Sequence, residues 1–262
     1  MAYDDVDAGI YNKDLLSPKL GIQWNATRRI RLRGAYFSTL QKDLLTSQTI
    51  EPTQVAGFNQ LYDDFNGTKA RRVGIALDAQ PTERTYAGAD YLRSWLDVPE
   101  SEGGSARATT EEVREQRVRG YLYWIPADRW AFGIEVIADQ YELARTPTGD
   151  DVPGSVNTRL VPLSIRYFDP AGWFAQATAT YVDQHVGRGP DAMLDSGSDN
   201  TVVVDAVLGY RLRGGLGTAT LEGRNLLDSK FNYQDENYRT NQDQRSTLIP
   251  ERRILARLTL HF

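Results

Sequence analysis

Runs in which apolar and polar residues alternate recur along the whole chain, and the connections between them come in two lengths that take strict turns. The short ones are Ala26-Thr27-Arg28-Arg29, Pro81-Thr82-Glu83-Arg84, Pro126-Ala127-Asp128-Arg129, Asp169-Pro170-Ala171-Gly172 and Gly214-Gly215. Their Pro, Gly and Asp content is turn chemistry. The long ones, roughly 39–68, 97–113, 144–157, 184–200 and 231–249, are polar. A period of two puts successive side chains on opposite faces of a strand. A strict short–long order then fits an antiparallel up-and-down meander, with tight turns at one end of the sheet and long loops at the other. Strands are expected near 18–25, 30–38, 69–79, 85–96, 114–125, 130–143, 158–168, 173–183, 201–212, 217–230 and 250–262. The fold class is therefore all-β, with about eleven strands. A soluble sandwich would instead show Greek-key connections and evenly spaced turns.

The aromatic residues say what the apolar face meets. Trp24, Trp124, Trp130, Tyr167, Trp173, Tyr210 and Phe262 all lie within a few residues of a short turn or of the C-terminus. Each is in phase with the apolar residues of its own strand, as Leu20 and Ile22 are with Trp24. A sandwich core would bury its tryptophans in mid-strand. A ring of aromatic residues at one end of an apolar face is the mark of a bilayer interface. The opposite phase collects Lys19, Arg31, Arg33, Arg72, Asp78, Arg117, Arg119, Glu135, Asp139, Arg166, Asp205, Arg211, Glu222 and Arg224. Facing lipid, an Arg at mid-bilayer costs about 2–4 kcal/mol; facing a wet lumen it costs little. The expected architecture is part of a transmembrane β-barrel, about half of one, with membrane lipid against its outer face. The chain has no apolar run long enough for a transmembrane helix, which does not bear on a barrel.

Composition narrows the function. The chain has 262 residues, a net charge of −5 and no basic stripe, so nucleic acid is not an expected partner. With no cysteine there is no zinc-finger site, no disulfide and no thiol nucleophile. The two histidines, His185 and His261, lack the spacing of a metal or triad site. Nucleophile-elbow, phosphate-loop and dinucleotide motifs are missing, and Gly214-Gly215-Leu216-Gly217 reads as a hairpin turn. Asp63-Asp64, Asp150-Asp151 and the acidic stretch from Glu100 to Glu112 lack the spacing of a calcium loop and read as solvated loops. No metal, cofactor or catalytic residue is expected, nor an enzyme. The first residues carry no basic and apolar regions of a signal peptide. The loop 39–68 is the longest, and its Phe58, Asn59, Tyr62, Asp63, Asp64 and Phe65 combine aromatic faces with hydrogen-bonding groups. These six are the expected ligand contacts.

The stretch Leu221-Glu222-Gly223-Arg224-Asn225-Leu226-Leu227-Asp228-Ser229-Lys230-Phe231, followed by a last strand ending in Phe262, resembles the C-terminal end of TonB-dependent receptors. The segment "SQTIEPTQVAGFNQLYDDFNGTKARRVGIALDA" is similar to a part of that superfamily in which a long outer loop returns into a strand. The resemblance implies a cell outer-membrane location in a Gram-negative bacterium and uptake of a ligand. It also implies that Leu258, Leu260 and Phe262 form an assembly signal read by the barrel-assembly machinery. Family barrels have about twenty-two strands, preceded by a plug domain and a TonB-contacting segment that nothing here matches. Residues 1–262 are therefore expected to be the C-terminal part of such a barrel, with an odd strand count that leaves the two ends on opposite sides of the membrane. TonB is expected as a partner only through an N-terminal region outside these residues. The alternative is a barrel that anchors or exports, joined to a different periplasmic module such as helical repeats.

Overall fold

A computed structural model of the chain describes residues 2–7, 12–41, 54–59, 67–101, 108–145, 153–187, 196–231 and 251–260. The strands are β1 (Ala2–Asp7), β2 (Asn12–Ser17), β3 (Lys19–Asn25), β4 (Ile30–Leu40), β5 (Gln54–Val55), β6 (Phe58–Asn59), β7 (Lys69–Thr82) and β8 (Thr85–Ser101). They continue with β9 (Ala108–Ala127), β10 (Trp130–Arg145), β11 (Ser155–Phe168), β12 (Trp173–Gly187), β13 (Gly197–Leu212), β14 (Gly217–Arg224) and β15 (Arg253–Leu260). Eleven of them form one antiparallel sheet in the order β15-β14-β13-β12-β11-β10-β9-β8-β7-β4-β3. Apart from the β5–β6 insertion, neighbours in sequence are neighbours in the sheet. The meander expected from the connection lengths is present, strand for strand. Among the described residues its two edges, β3 and β15, are not paired with one another.

Three details differ from expectation. β8 and β9 rise 17 and 20 residues, and their ladder continues through Pro99↔Thr110 and Glu100↔Thr109 to Ser101↔Ala108. Residues 97–101 and 108–113 of the expected loop are thus strand. Each strand satisfies the other's backbone groups, so pairing persists where the alternation that marks a strand has faded. β14 stops at Arg224 rather than near 230. There Asn225 turns the chain with φ 45° and Asp228 with φ 52°. Finally, β1 and β2 form a hairpin with register Ala2↔Ser17 to Asp7↔Asn12, and β5 and β6 form a second one inside the β4–β7 connection.

The sheet separates two surfaces. Rows of paired residues such as Thr85↔Trp124, Ala87↔Leu122 and Tyr91↔Val118 share one face across neighbouring strands. That face is apolar and open: Ile22 is 68% exposed, Trp24 60% and Leu163 55%. Large hydrophobic side chains left bare over a whole sheet face signal a surface made for a non-aqueous or partner environment. Two clusters of buried residues lie on the other face. One cluster (Leu96, Val98, Val113, Tyr141 and Val156 with Ala70) sits toward the long-loop end. A second gathers Ala35, Phe37, Ala76 and Leu92 around Phe58.

Candidate functional site

The polar face is laced by cross-strand charge pairs. Arg33 in β4 donates from Nε to Asp78 Oδ2 at 2.7 Å and from Nη2 to Oδ1 at 3.2 Å. The Tyr121 hydroxyl, two strands further on, donates to the same Oδ1 at 2.8 Å. Arg119 Nε donates to Glu135 at 2.8 Å, and the Tyr123 hydroxyl donates to the other oxygen of that carboxylate. Arg117 makes a two-point contact with Asp139 at 2.6 and 3.2 Å. Bidentate guanidinium–carboxylate pairs are among the stronger polar contacts, and here opposite signs stand side by side on paired strands. All six charged residues are among those the sequence phase assigned to this face.

Onto this face folds the hairpin β5–β6. Its two central residues, Ala56 and Gly57, have φ 50° and 84°. Two glycines clear the space for it. A Cβ on Gly74 would lie 2.7 Å from two ring carbons of Phe58, and one on Gly21 would lie 3.0 Å from Ala56 Cβ and Val55 Cγ1. Arg33 closes the arrangement: its Nη1 donates to Ala56 O at 3.3 Å, and its guanidinium carbon stands 5.3 Å from the Phe58 ring centroid. One side chain thus ties the strand pair β4–β7 to the inserted hairpin. Arg33 lies seven residues below Leu40, the long-loop end of β4, which is about 23 Å at about 3.3 Å per residue. The hairpin therefore reaches far down the polar face.

Of the six expected ligand contacts, Phe58 and Asn59 fall on β6; Phe58 is 6% exposed and Asn59 is exposed. Tyr62, Asp63, Asp64 and Phe65 lie outside the described residues. At the short-turn end Trp130 packs on Tyr167 with ring centroids 4.7 Å apart, and Trp173 on Tyr210 at 4.8 Å. Trp24, Trp124, Trp130 and Trp173 are exposed on the apolar face. Leu258 and Leu260 stand exposed on β15, whereas Phe262 and His261 lie outside the described residues.

Sequence reasoning did not find the contacts that join one tight turn to the next. Arg29 Nη1 donates to Pro81 O at 3.1 Å, and Arg84 Nη1 to Pro126 O at 2.8 Å. Arg84 also meets Asp128 at 3.3 Å, and Arg129 lies 3.7 Å from Asp169. The repeated Pro-x-Glu/Asp-Arg spacing at 81–84 and 126–129 was the available signal. In the turn after β11, the Ala171 backbone N–H donates to Asp169 Oδ1 at 2.7 Å and the Tyr167 hydroxyl to Oδ2 at 3.0 Å. Together they hold the Asp169 carboxyl below the usual carboxylate range.

No family model matches the chain, and no curated protein sequence matches it. A solved structure does: the ferric-catecholate import receptor Fiu from E. coli K12, in its closed form. The two superpose with a TM-score of 0.56 at 17% identity, over 96% of this chain and 35% of the receptor. The fold is that of part of a receptor barrel. This chain spans about a third of that receptor's length. At this identity the likeness concerns the fold, and it accounts for the sheet's bare apolar face and its charged opposite face as the outside and the lumen wall of a barrel.

Proposed function

We propose that residues 1–262 are the C-terminal part of an outer-membrane barrel that takes up a ligand, in the manner of TonB-dependent receptors. The observation that carries this reading is the division of the sheet. Its exposed face is apolar and rimmed by tryptophan at the tight turns, while its paired charges line the face where the hairpin docks. Lipid tolerates the first surface and a wet lumen the second. In this reading the short turns face the periplasm and the long loops the exterior. TonB acts through an N-terminal region outside these residues, and the barrel-assembly machinery inserts the chain. The hairpin β5–β6 narrows the lumen, and with the residues that follow it (Tyr62, Asp63, Asp64 and Phe65) it meets the ligand from the outer side.

The absence of cysteine gives a clean test. In the intact protein, Ser196→Cys marks the long-loop end and Arg28→Cys the short-turn end. A membrane-impermeant maleimide should label Ser196→Cys on whole cells and Arg28→Cys only after the outer membrane is permeabilised. Equal labelling of both in a soluble fraction would overturn the reading. A ferric catecholate, the cargo named for the similar receptor, is the first uptake probe. If it is taken up, deletion of 55–66 should abolish uptake while membrane insertion persists.

A further inference from the structure

Above the apolar band, the outer face carries three arginines on three adjacent strands. Arg71 (β7) pairs with Trp95 (β8), and Trp95 pairs with Arg114 (β9). Arg93 lies two residues below Trp95 on the same face, its guanidinium carbon 4.9 Å from the indole centroid. Strands lie about 4.8 Å apart, so the Arg71 and Arg114 backbones are separated by about 10 Å with the indole between them. Arg71 and Arg114 are exposed. Among the described residues, none of the three guanidinium groups has an acidic partner, and Arg93 Nε is buried without a hydrogen bond. On the polar face, by contrast, Arg33, Arg117 and Arg119 are all paired. Acids border the cluster without closing it: Glu142 opposite Arg114, and Asp97 and Glu112 one step further out beside Lys69.

The depth is telling. Trp95 stands ten residues along β8 from Thr85, which pairs with Trp124 in the lower aromatic ring. Ten residues are about 33 Å of strand, or about 25 Å of depth at a barrel tilt of about 40°, the height of a barrel's apolar band. Tyr36, in the row of Val73 and Arg93, and Tyr91, one step below that row, lie at the band's upper edge. Three unpaired guanidinium groups around an indole therefore sit at headgroup level, on the side that faces lipid. Guanidinium forks match phosphate oxygens in a two-point geometry, and an indole belongs at the boundary between headgroup and chain.

Resting on the barrel reading above, we infer that Arg71, Arg93 and Arg114 with Trp95 form a binding site for the phosphate groups of an outer-leaflet glycolipid. The experiment uses the intact protein and its triple variant Arg71→Gln/Arg93→Gln/Arg114→Gln in phosphatidylethanolamine vesicles doped with lipid A, or with lipid A stripped of its phosphates. Heat-modifiable gel mobility is scored first. If wild type lacks it, the barrel reading fails, independently of the lipid site. With barrel behaviour intact, wild type should retain phosphorylated lipid A about tenfold or more better than the variant. Both proteins should hold the stripped lipid equally, and inorganic phosphate should not displace the bound lipid. Equal retention of phosphorylated lipid A by the two proteins would overturn the site. Full displacement by inorganic phosphate would overturn its assignment to lipid.

Discussion

At the scale of single residues, the hairpin's docking rests on Arg33 and on the missing side chain of Gly74. Burying a phenylalanine stabilises by about 1.5–3 kcal/mol. Phe58→Ala should therefore shift the docked-to-undocked ratio roughly thirtyfold toward undocked. Gly74→Val should act more strongly, because its side chain takes the space of the Phe58 ring. The check is proteinase K cleavage within 54–59 of the folded protein, resisted by wild type and rapid in Gly74→Val. Resistance unchanged in the variant would show that docking does not depend on this clearance. Asp169 gives a pH signature of its own. Its folded-state pKa is depressed by the Ala171 N–H and then the Tyr167 hydroxyl. Its contribution to the turn is therefore full above the ordinary carboxylate range and lost as pH falls through the depressed value. The protection factor of the Ala171 amide against hydrogen exchange should fall in that acid window, and in Asp169→Ala it should be low at every pH.

At the scale of elements, Asn-Leu-Leu-Asp after β14 is a built corner. Asn225 is 1% exposed; its N–H donates to Asp205 at 2.8 Å, and its side chain bonds both the Ser229 N–H and the Ser229 carbonyl at 2.9 and 3.0 Å. Ser229 Oγ in turn donates to Val202 O at 2.6 Å. Asparagine suits the site because it tolerates positive φ and can bond its local backbone. Asn225→Ala should cost about 1–3 kcal/mol, read as a lower urea midpoint of the intact barrel in detergent. Asn225→Gly, which restores the backbone freedom alone, should recover only part. The sequence motif was visible, but its reading as continued strand was wrong, since Leu226 and Leu227 keep an apolar run going while Asn225 bends the chain. Period two made the eleven strands and their two faces legible. It could not reach the ends of β8 and β9, where Glu111 and Glu112 put a charge on each face but pairing continues. Nor could it reach the hairpin's socket, because Gly21, Arg33 and Gly74 meet only through the pairing of β3, β4 and β7.

At the scale of the whole molecule, the sheet's edges govern what it can do in a membrane. Each backbone group left unpaired in hydrocarbon costs several kcal/mol. Among the described residues β3 and β15 each present a row of such groups, so in a bilayer each edge must find a strand. β15 carries Leu258 and Leu260 on the outer face beside Ala219 and Gly217 of β14. With Phe262 beyond them they form the proposed assembly signal. In the intact protein, Phe262→Ala should slow the appearance of heat-modifiable barrel without changing the stability of what is inserted. The edges make a sharper prediction. The 262 residues refolded by themselves in detergent have an eleven-stranded sheet to close. Bacterial single-chain barrels use even strand numbers because an up-and-down meander then closes antiparallel throughout. Here β3 and β15 run the same way, so joining them would need a parallel seam. The expected product is therefore an associated species joined edge to edge, seen as polydispersity in light scattering. Cysteine pairs placed at Gln23 and Thr259 should cross-link between chains. A monodisperse, heat-modifiable monomer cross-linked within one chain would mean that the sheet closes on itself, and that it is a small complete barrel rather than part of a larger wall.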